Sequence, residues 1–226
     1  MSWVNLSYGV VVTGFNTSLT PSISGSPPVG SIGILSTGIF LGNQAPPAVS
    51  GWNLKTTTGT AQQRCQAIYT RTLTGSGDAP TVTWPASQDE YAFISVYSGG
   101  SETLDGTPTA NYDNSSPSGI LYGALTISNP NCLVIALGLK NTAQASAAFS
   151  AFGSFTVRVS GLFSPGPFSM AYNEWIQTTA TSISSGGQVV TPSDSGAEPN
   201  SSQVIALLPA SVVVPQTYNL ESNEYF

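Results

Sequence analysis

Apolar residues recur in this chain at alternate positions, in short runs that end at Gly, Pro or Asn. Nowhere do they hold the i, i+3, i+4, i+7 spacing of an amphipathic helix for three turns. Side chains two residues apart share one face of a strand, so a chain patterned this way buries its apolar groups by forming sheets. The pattern predicts an all-β protein with strands over 8–14, 31–41, 64–73, 80–84, 91–97, 119–127, 132–139, 154–160, 168–176 and 203–209. That many short strands with Gly- and Pro-rich connections predict an antiparallel β-sandwich of the jelly-roll type. At 226 residues the chain can bury roughly 70% of its unfolded surface, enough for a real core. One sandwich domain is expected over 1–209, and an extended C-terminal arm over 210–226, where Pro209 and Pro215 interrupt a strand.

The segment RCQAIYTRTLTGSGDAPTVTW, residues 64–84, reads as a half-buried hairpin. Cys65, Ala67, Tyr69 and Leu73 point one way, Arg64, Gln66, Thr70 and Thr72 the other, and GSGDAP reverses the chain before Val82 and Trp84. By contrast 91–97 and 132–139 are apolar on both faces, as central strands of a sheet covered twice should be. Residues 98–118 and 177–202 read as long loops, kept for contact or binding or simply tolerated as insertions.

Charged residues make up 7% of the chain, against ~25% in ordinary soluble domains. Neutral hydroxyls and amides lose less on leaving water than ions do, so a surface built from them suits a subunit covered by neighbours. Many secreted β-proteins share that composition. The formal charge is −6 with no run of Lys or Arg, which argues against tracking nucleic-acid phosphates or an anionic membrane. The first residues lack a signal-peptide pattern, and no apolar run approaches the ~20 residues of a membrane span, so synthesis in a host cytoplasm is expected. Cys65 and Cys132 are expected as buried free thiols, with a disulfide as the alternative.

Histidine is absent, which removes the commonest general base and transition-metal ligand and the ordinary nucleophile triads. No CxxC, phosphate-binding or dinucleotide motif stands in its place. Carboxylate pairs are left for glycosidase chemistry. Asp89 and Glu90 would face opposite sides of a strand, while Glu102 with Asp105 or Asp113 could converge with Glu174. Asp105, Asn111, Asp113 and Asn114 offer oxygen donors for calcium but match no ordered ligand pattern, and turn-forming Asx residues explain them more simply. Trp52, Trp84, Trp175 and the tyrosines could make a stacking platform for sugars, or fill core and interface. Glu174, inside an apolar strand, must lie on an outer face or pair, with Arg71 or Arg158 as partners. The chain is expected to be no enzyme and to need no cofactor or metal.

The segment 45–99 carries a Pro-rich lead into Gly51-Trp52, an Arg64-to-Tyr69 strand, a Thr74-to-Ser76 turn, and a Tyr91-to-Gly99 strand of the form Tyr-Ala-x-x-x-x-Tyr-x-Gly. Together they resemble a recurring module of tailed-phage and prophage virion proteins, and the VIALLPA stretch at 204–210 is similar to its last strand. The resemblance covers most of 20–210 and implies a jelly-roll-like structural protein of capsid decoration, head fibre or tail appendage. Such modules often run on into other domains, whereas a stand-alone module with an arm fits capsid decoration. The implied partners are the major capsid protein or other virion proteins and further copies of the chain. Contact is expected through the arm residues Val212, Val213, Val214, Tyr218, Tyr225 and Phe226 and through 98–118 and 177–202. The alternative is a glycan- or host-receptor-binding module on a tail or head fibre.

Overall fold

A computed structural model describes residues 2–40, 45–58, 64–113, 119–141, 148–150, 153–163, 168–191 and 200–211. The first half supplies β1 (Val4–Tyr8), β2 (Val12–Leu19), β3 (Ile32–Phe40), β4 (Asn53–Thr57), β5 (Arg64–Thr72) and β6 (Val82–Ser98). From Gly100 onward come β7 (Gly100–Leu104), β8 (Thr109–Asp113), β9 (Gly119–Tyr122), β10 (Leu125–Thr126), β11 (Cys132–Asn141) and β12 (Ala148–Phe149). They are followed by β13 (Thr156–Phe163), β14 (Phe168–Gln177), β15 (Ser182–Ile183), β16 (Gly186–Thr191) and β17 (Asn200–Pro209). Among the described residues the one helical element is a 3-10 turn at Ser76–Asp78, and no helix is long and apolar enough to cross a membrane.

The fold is an all-β antiparallel sandwich. Sheet one runs β1-β6-β3-β5-β4, with β2 continuing the β1 edge along β6. Sheet two runs β13-β14-β11-β17-β7, with β8 also on β17. Alternation sorts the side chains. Ile32, Ile34, Ile68, Tyr91, Phe93 and Tyr97 of sheet one meet Leu133, Ile135, Leu137, Leu139, Tyr172 and Ile205 of sheet two in the central core. Each fully buried side chain of this size contributes roughly 1.5–3 kcal/mol, so this contact dominates the fold's stability.

Both central strands are apolar on their second face as well, as expected, and each is covered again. Leu35, Ile39, Cys65, Ala67, Tyr69, Ala92 and Ile94 pack outward under Leu19, Ile23, Val49, Trp52, Val82 and Trp84. On the far side of sheet two, Cys132, Val134 and Ala136 pack under a third layer that holds Ile120, Tyr122, Leu125 and Ile183. That layer consists of the β12-β16-β9 sheet and the β10-β15 pair. Gly138 makes its approach possible, because a Cβ there would lie 2.4 Å from the Tyr122 hydroxyl.

Several sequence expectations change. The 64–84 hairpin does not form: β5 pairs with β3 and β4, while Val82 and Thr83 pair with β2. The turn after Leu73 carries the chain over the sheet's outer face, which leaves β5 buried on both sides and not half-buried. The strands expected at 80–84 and 91–97 are one strand, β6, and the one expected at 8–14 is split at Gly9. There a side chain would meet the Ile94 carbonyl at 2.7 Å. The long-loop reading of 98–118 and 177–202 also gives way, because β7, β8, β15 and β16 lie within those segments. Among the described residues sheet one draws on residues 4–98 and sheet two on residues 100–209, and what the sheets define is a sandwich. Residues 212–226, with the expected contact residues Val212, Val213, Val214, Tyr218, Tyr225 and Phe226, lie outside the described residues.

The chain passes from sheet one to sheet two at Gly99 and Gly100. Gly99 takes a φ of 84°, where a side chain is strained, and a Cβ on Gly100 would sit 1.8 Å from the buried Trp3 indole. Gly100→Ala is therefore expected to destabilise the fold by about 1–3 kcal/mol through overpacking against Trp3. Urea denaturation followed by Trp fluorescence measures this; a loss below about 0.5 kcal/mol would show that Trp3 moves aside freely.

Candidate functional site

Acidic groups are the remaining candidates for chemistry, and the fold engages most of those among the described residues. Glu174 points from β14 toward the central core, where Tyr97 donates to it at 2.6 Å and the Arg158 Nε at 2.6 Å. Tyr172 donates to the Tyr97 oxygen at 2.9 Å and Ser95 to Tyr172 at 2.8 Å, so a hydrogen-bonded chain crosses between the sheets and ends at an ion pair. This is the paired alternative for Glu174, with Arg158 as the partner. Burial and the neighbouring carboxylate hold the Tyr97 phenol well above its usual range.

Asp78 closes the turn after β5: it accepts from the Thr74 N–H and hydroxyl and from Gly75, and pairs with Arg71. Those backbone bonds lower its pKa. Its carbonyl accepts from the Trp52 indole at 3.2 Å, and the Arg71 guanidinium lies over Gly51 at a φ of 75°. Glu102 reaches from β7 to the edge of sheet one and accepts from Asn53, Thr70 and the Thr72 N–H and hydroxyl. Burial alone would raise its pKa, but these bonds outweigh it and lower it. Asp105 accepts from the Ser128 and Asn129 N–H groups and from the Cys132 thiol; burial is again outweighed and its pKa is lowered. The same carboxylate and burial push the Cys132 thiol up to about 12.

Glu102, Asp105 and Glu174 are thus held on three separate sets of partners and do not form a pair. The calcium grouping disperses likewise: Asp105 anchors 128–132, Asn111 donates to the Leu121 carbonyl, and Asn114 lies outside the described residues. Among the described residues no three metal-ligating side chains gather. Both cysteines are buried and unbridged. Glu90 differs from the other acids. It is fully buried in β6, neither of its oxygens finds a partner among the described residues, and burial raises its carboxyl to about 7.

Two surface features stand out instead. The first is the outer edge of sheet one, where Val4, Leu6, Val10 and Phe15 are 53%, 41%, 71% and 60% exposed. β1 and β2 pair only with β6, so their other edge is open among the described residues. Natural sheets guard such edges with charge; here no Asp, Glu, Lys or Arg occurs from residue 1 to residue 54. The sequence reading missed this edge, although the alternation of Val4 and Leu6 beside the inward Trp3 was the signal for it.

The second feature is a groove of about 500 Å³ where the third layer runs short, formed by 153–155, Trp175 and 182–187. Trp52 and Trp84 fill core, while Trp175 is half-buried and lines the groove, with the Phe155 ring edge-on at 5.9 Å. Beside it the third layer is pinned to sheet two by amides. Tyr122 donates to the Gln188 side-chain oxygen at 2.7 Å, Gln188 to the Asn173 oxygen at 2.9 Å, and Asn173 to the Ala136 carbonyl at 3.0 Å. No family model, curated protein or solved structure matches the chain.

The acids predict a characteristic pH profile. Asp78, Glu102 and Asp105 have lowered pKa values, so the stability they contribute is lost as pH falls below the ordinary values of 3.8 and 4.5. Glu90 has the opposite sign. Between 4.5 and about 7 the unfolded chain releases this proton while the folded chain keeps it, so stability declines across that window; Asp89, raised by burial, acts the same way. Urea midpoints should fall from mildly acid to neutral pH, and Glu90→Gln should flatten that decline. An unchanged slope in the variant would remove Glu90 as its cause.

Proposed function

We propose that this chain is a structural protein of a bacteriophage virion that decorates the capsid, binding the major capsid protein and its own copies, with no catalytic activity and no cofactor. The observation that carries this reading is the unguarded edge of sheet one. Among the described residues the outer row of backbone N–H and C=O groups of β1 and β2 pairs with no strand, exposed Val4, Leu6, Val10 and Phe15 flank it, and neither strand carries a charged residue, which suits addition of a strand from another subunit. The engagement of Asp78, Glu102, Asp105 and Glu174 in holding the fold supports a non-catalytic role, and the resemblance of 45–99 supplies the virion context. The resembling positions Trp52, Tyr69 and Tyr91 serve packing: Tyr69 donates to the Pro47 carbonyl at 2.6 Å and Gln66 donates to the Tyr91 oxygen at 3.0 Å.

The mechanism is mechanical. Area buried across capsomer junctions, ~1,200–2,000 Å² for a stable contact, must be exposed again before the shell opens. Binding only the closed shell shifts its stability by mass action.

Empty shells carrying the protein should resist heat and denaturant better than bare shells; equal resistance rejects the cementing role. The double variant Leu6→Lys, Phe15→Lys places charge on exposed positions and should change stability by no more than about 0.5 kcal/mol. Sedimentation velocity should show its self-association, and co-sedimentation its shell binding, weakened at least ~10-fold, the effect of about 1.4 kcal/mol. A variant that associates as the native chain does would clear the edge of this role.

A further inference from the structure

We propose that the groove over Trp175 is a binding site for a neutral pyranose sugar. This goes beyond the adhesive role and stands on different residues. Trp3, Trp52 and Trp84 are buried, whereas Trp175 projects from β14 on the side of the third layer and is only half covered by it. Phe155 sets the indole plane by an edge-on contact at 5.9 Å and 64°. Beside Ile183 the rest of the lining is neutral and small: Ser154, Ser182, Ser184 and Ser185 are exposed, with Gly153 next to them and with Gly186 and Gly187, which pair with Tyr122 and Leu121 of β9. The volume, about 500 Å³, lies within the ~300–1,000 Å³ of small-molecule clefts.

These features select a ligand. A pyranose has an apolar C–H face that can lie on an aromatic ring and a rim of hydroxyls that both donate and accept. An indole floor inside a rim of serine hydroxyls answers both halves. Among the described residues no titratable side chain lines the groove, so a carboxylated or phosphorylated ligand finds no counter-charge there to offset its desolvation. A purely apolar ligand would leave the hydroxyl rim without new partners on one side.

The test uses the intact chain with its four Trp indoles labelled with ¹⁵N, titrated with methyl glycosides of glucose, galactose, mannose, N-acetylglucosamine and N-acetylgalactosamine. At least one should shift the Trp175 indole resonance saturably, with the other three indoles still. Affinity should be equal at about pH 5 and about pH 8, because none of the described lining groups titrates in that range. Trp175→Phe keeps a ring and should bind within ~3-fold, while Trp175→Ala should lose ~10-fold or more. Glucuronate should bind at least ~10-fold more weakly than the best neutral glycoside. Absence of any saturable shift in the native chain, glucuronate binding as tightly, or undiminished binding by Trp175→Ala would overturn the proposal. The titration of the native chain decides the question even where a variant fails to fold. A chain carrying Leu6→Lys and Phe15→Lys should bind the sugar unchanged, so failure of the edge and failure of the groove are read separately.

Discussion

The packing of sheet one on sheet two is the contact on which every other layer depends. Leu133, Ile135, Leu137 and Leu139 of β11 face Ile32, Ile34, Phe93 and Tyr97 across it. The same strands carry Val134, Ala136, Ile94 and Val96 on their reverse sides. A two-layer sandwich would leave that second set in water, which costs roughly 25 cal/mol for each Å² of apolar surface. The outer cover over sheet one and the third layer over sheet two follow from that demand. So does the groove, because the described residues of the third layer cover Trp175 only in part.

A chain with few charges must handle its buried polar groups by hydrogen bonding. Glu174 enters the core with Arg158, Tyr97 and, through Tyr97, Tyr172 and Ser95. Asn173 and Gln188 do the equivalent work for the third layer with neutral amides. Acidic residues spent in this way brace turns and layer boundaries, and the exterior is left to Ser, Thr, Gly and scattered apolar side chains. Such an exterior loses little on being covered, which is why the same composition serves both the open edge at β1 and β2 and the sugar groove.

Much of this was legible beforehand, and the misses share one cause. Period-two alternation placed β3, β5, β11 and β14 nearly to the residue, and the two-faced apolarity of 91–97 and 132–139 foretold a second cover for each sheet. The false hairpin at 64–84 arose because local sequence reports that the chain turns but not which strand it then meets; β2 won the pairing with Val82 and Thr83. β7, β8 and β16 read as loops because their Gly, Asn, Asp, Glu and Ala residues have weak strand preference, and long-range ladders with β9 and β17 override it. For the groove, four tryptophans of equal chemistry could not be ranked until burial separated Trp175 from the other three.

Sequence by itself determined the class of fold, the faces of the central strands and the absence of imidazole chemistry, because side-chain alternation and composition act locally and need no partner. Among the described residues, tertiary structure alone decided which strands pair, where each carboxylate ends, that Glu90 is sealed without a partner, and that Trp175 and the β1–β2 edge are left open. Those outcomes depend on contacts between residues far apart in the chain, and a linear pattern carries no record of which distant surface arrives first to cover a given side chain.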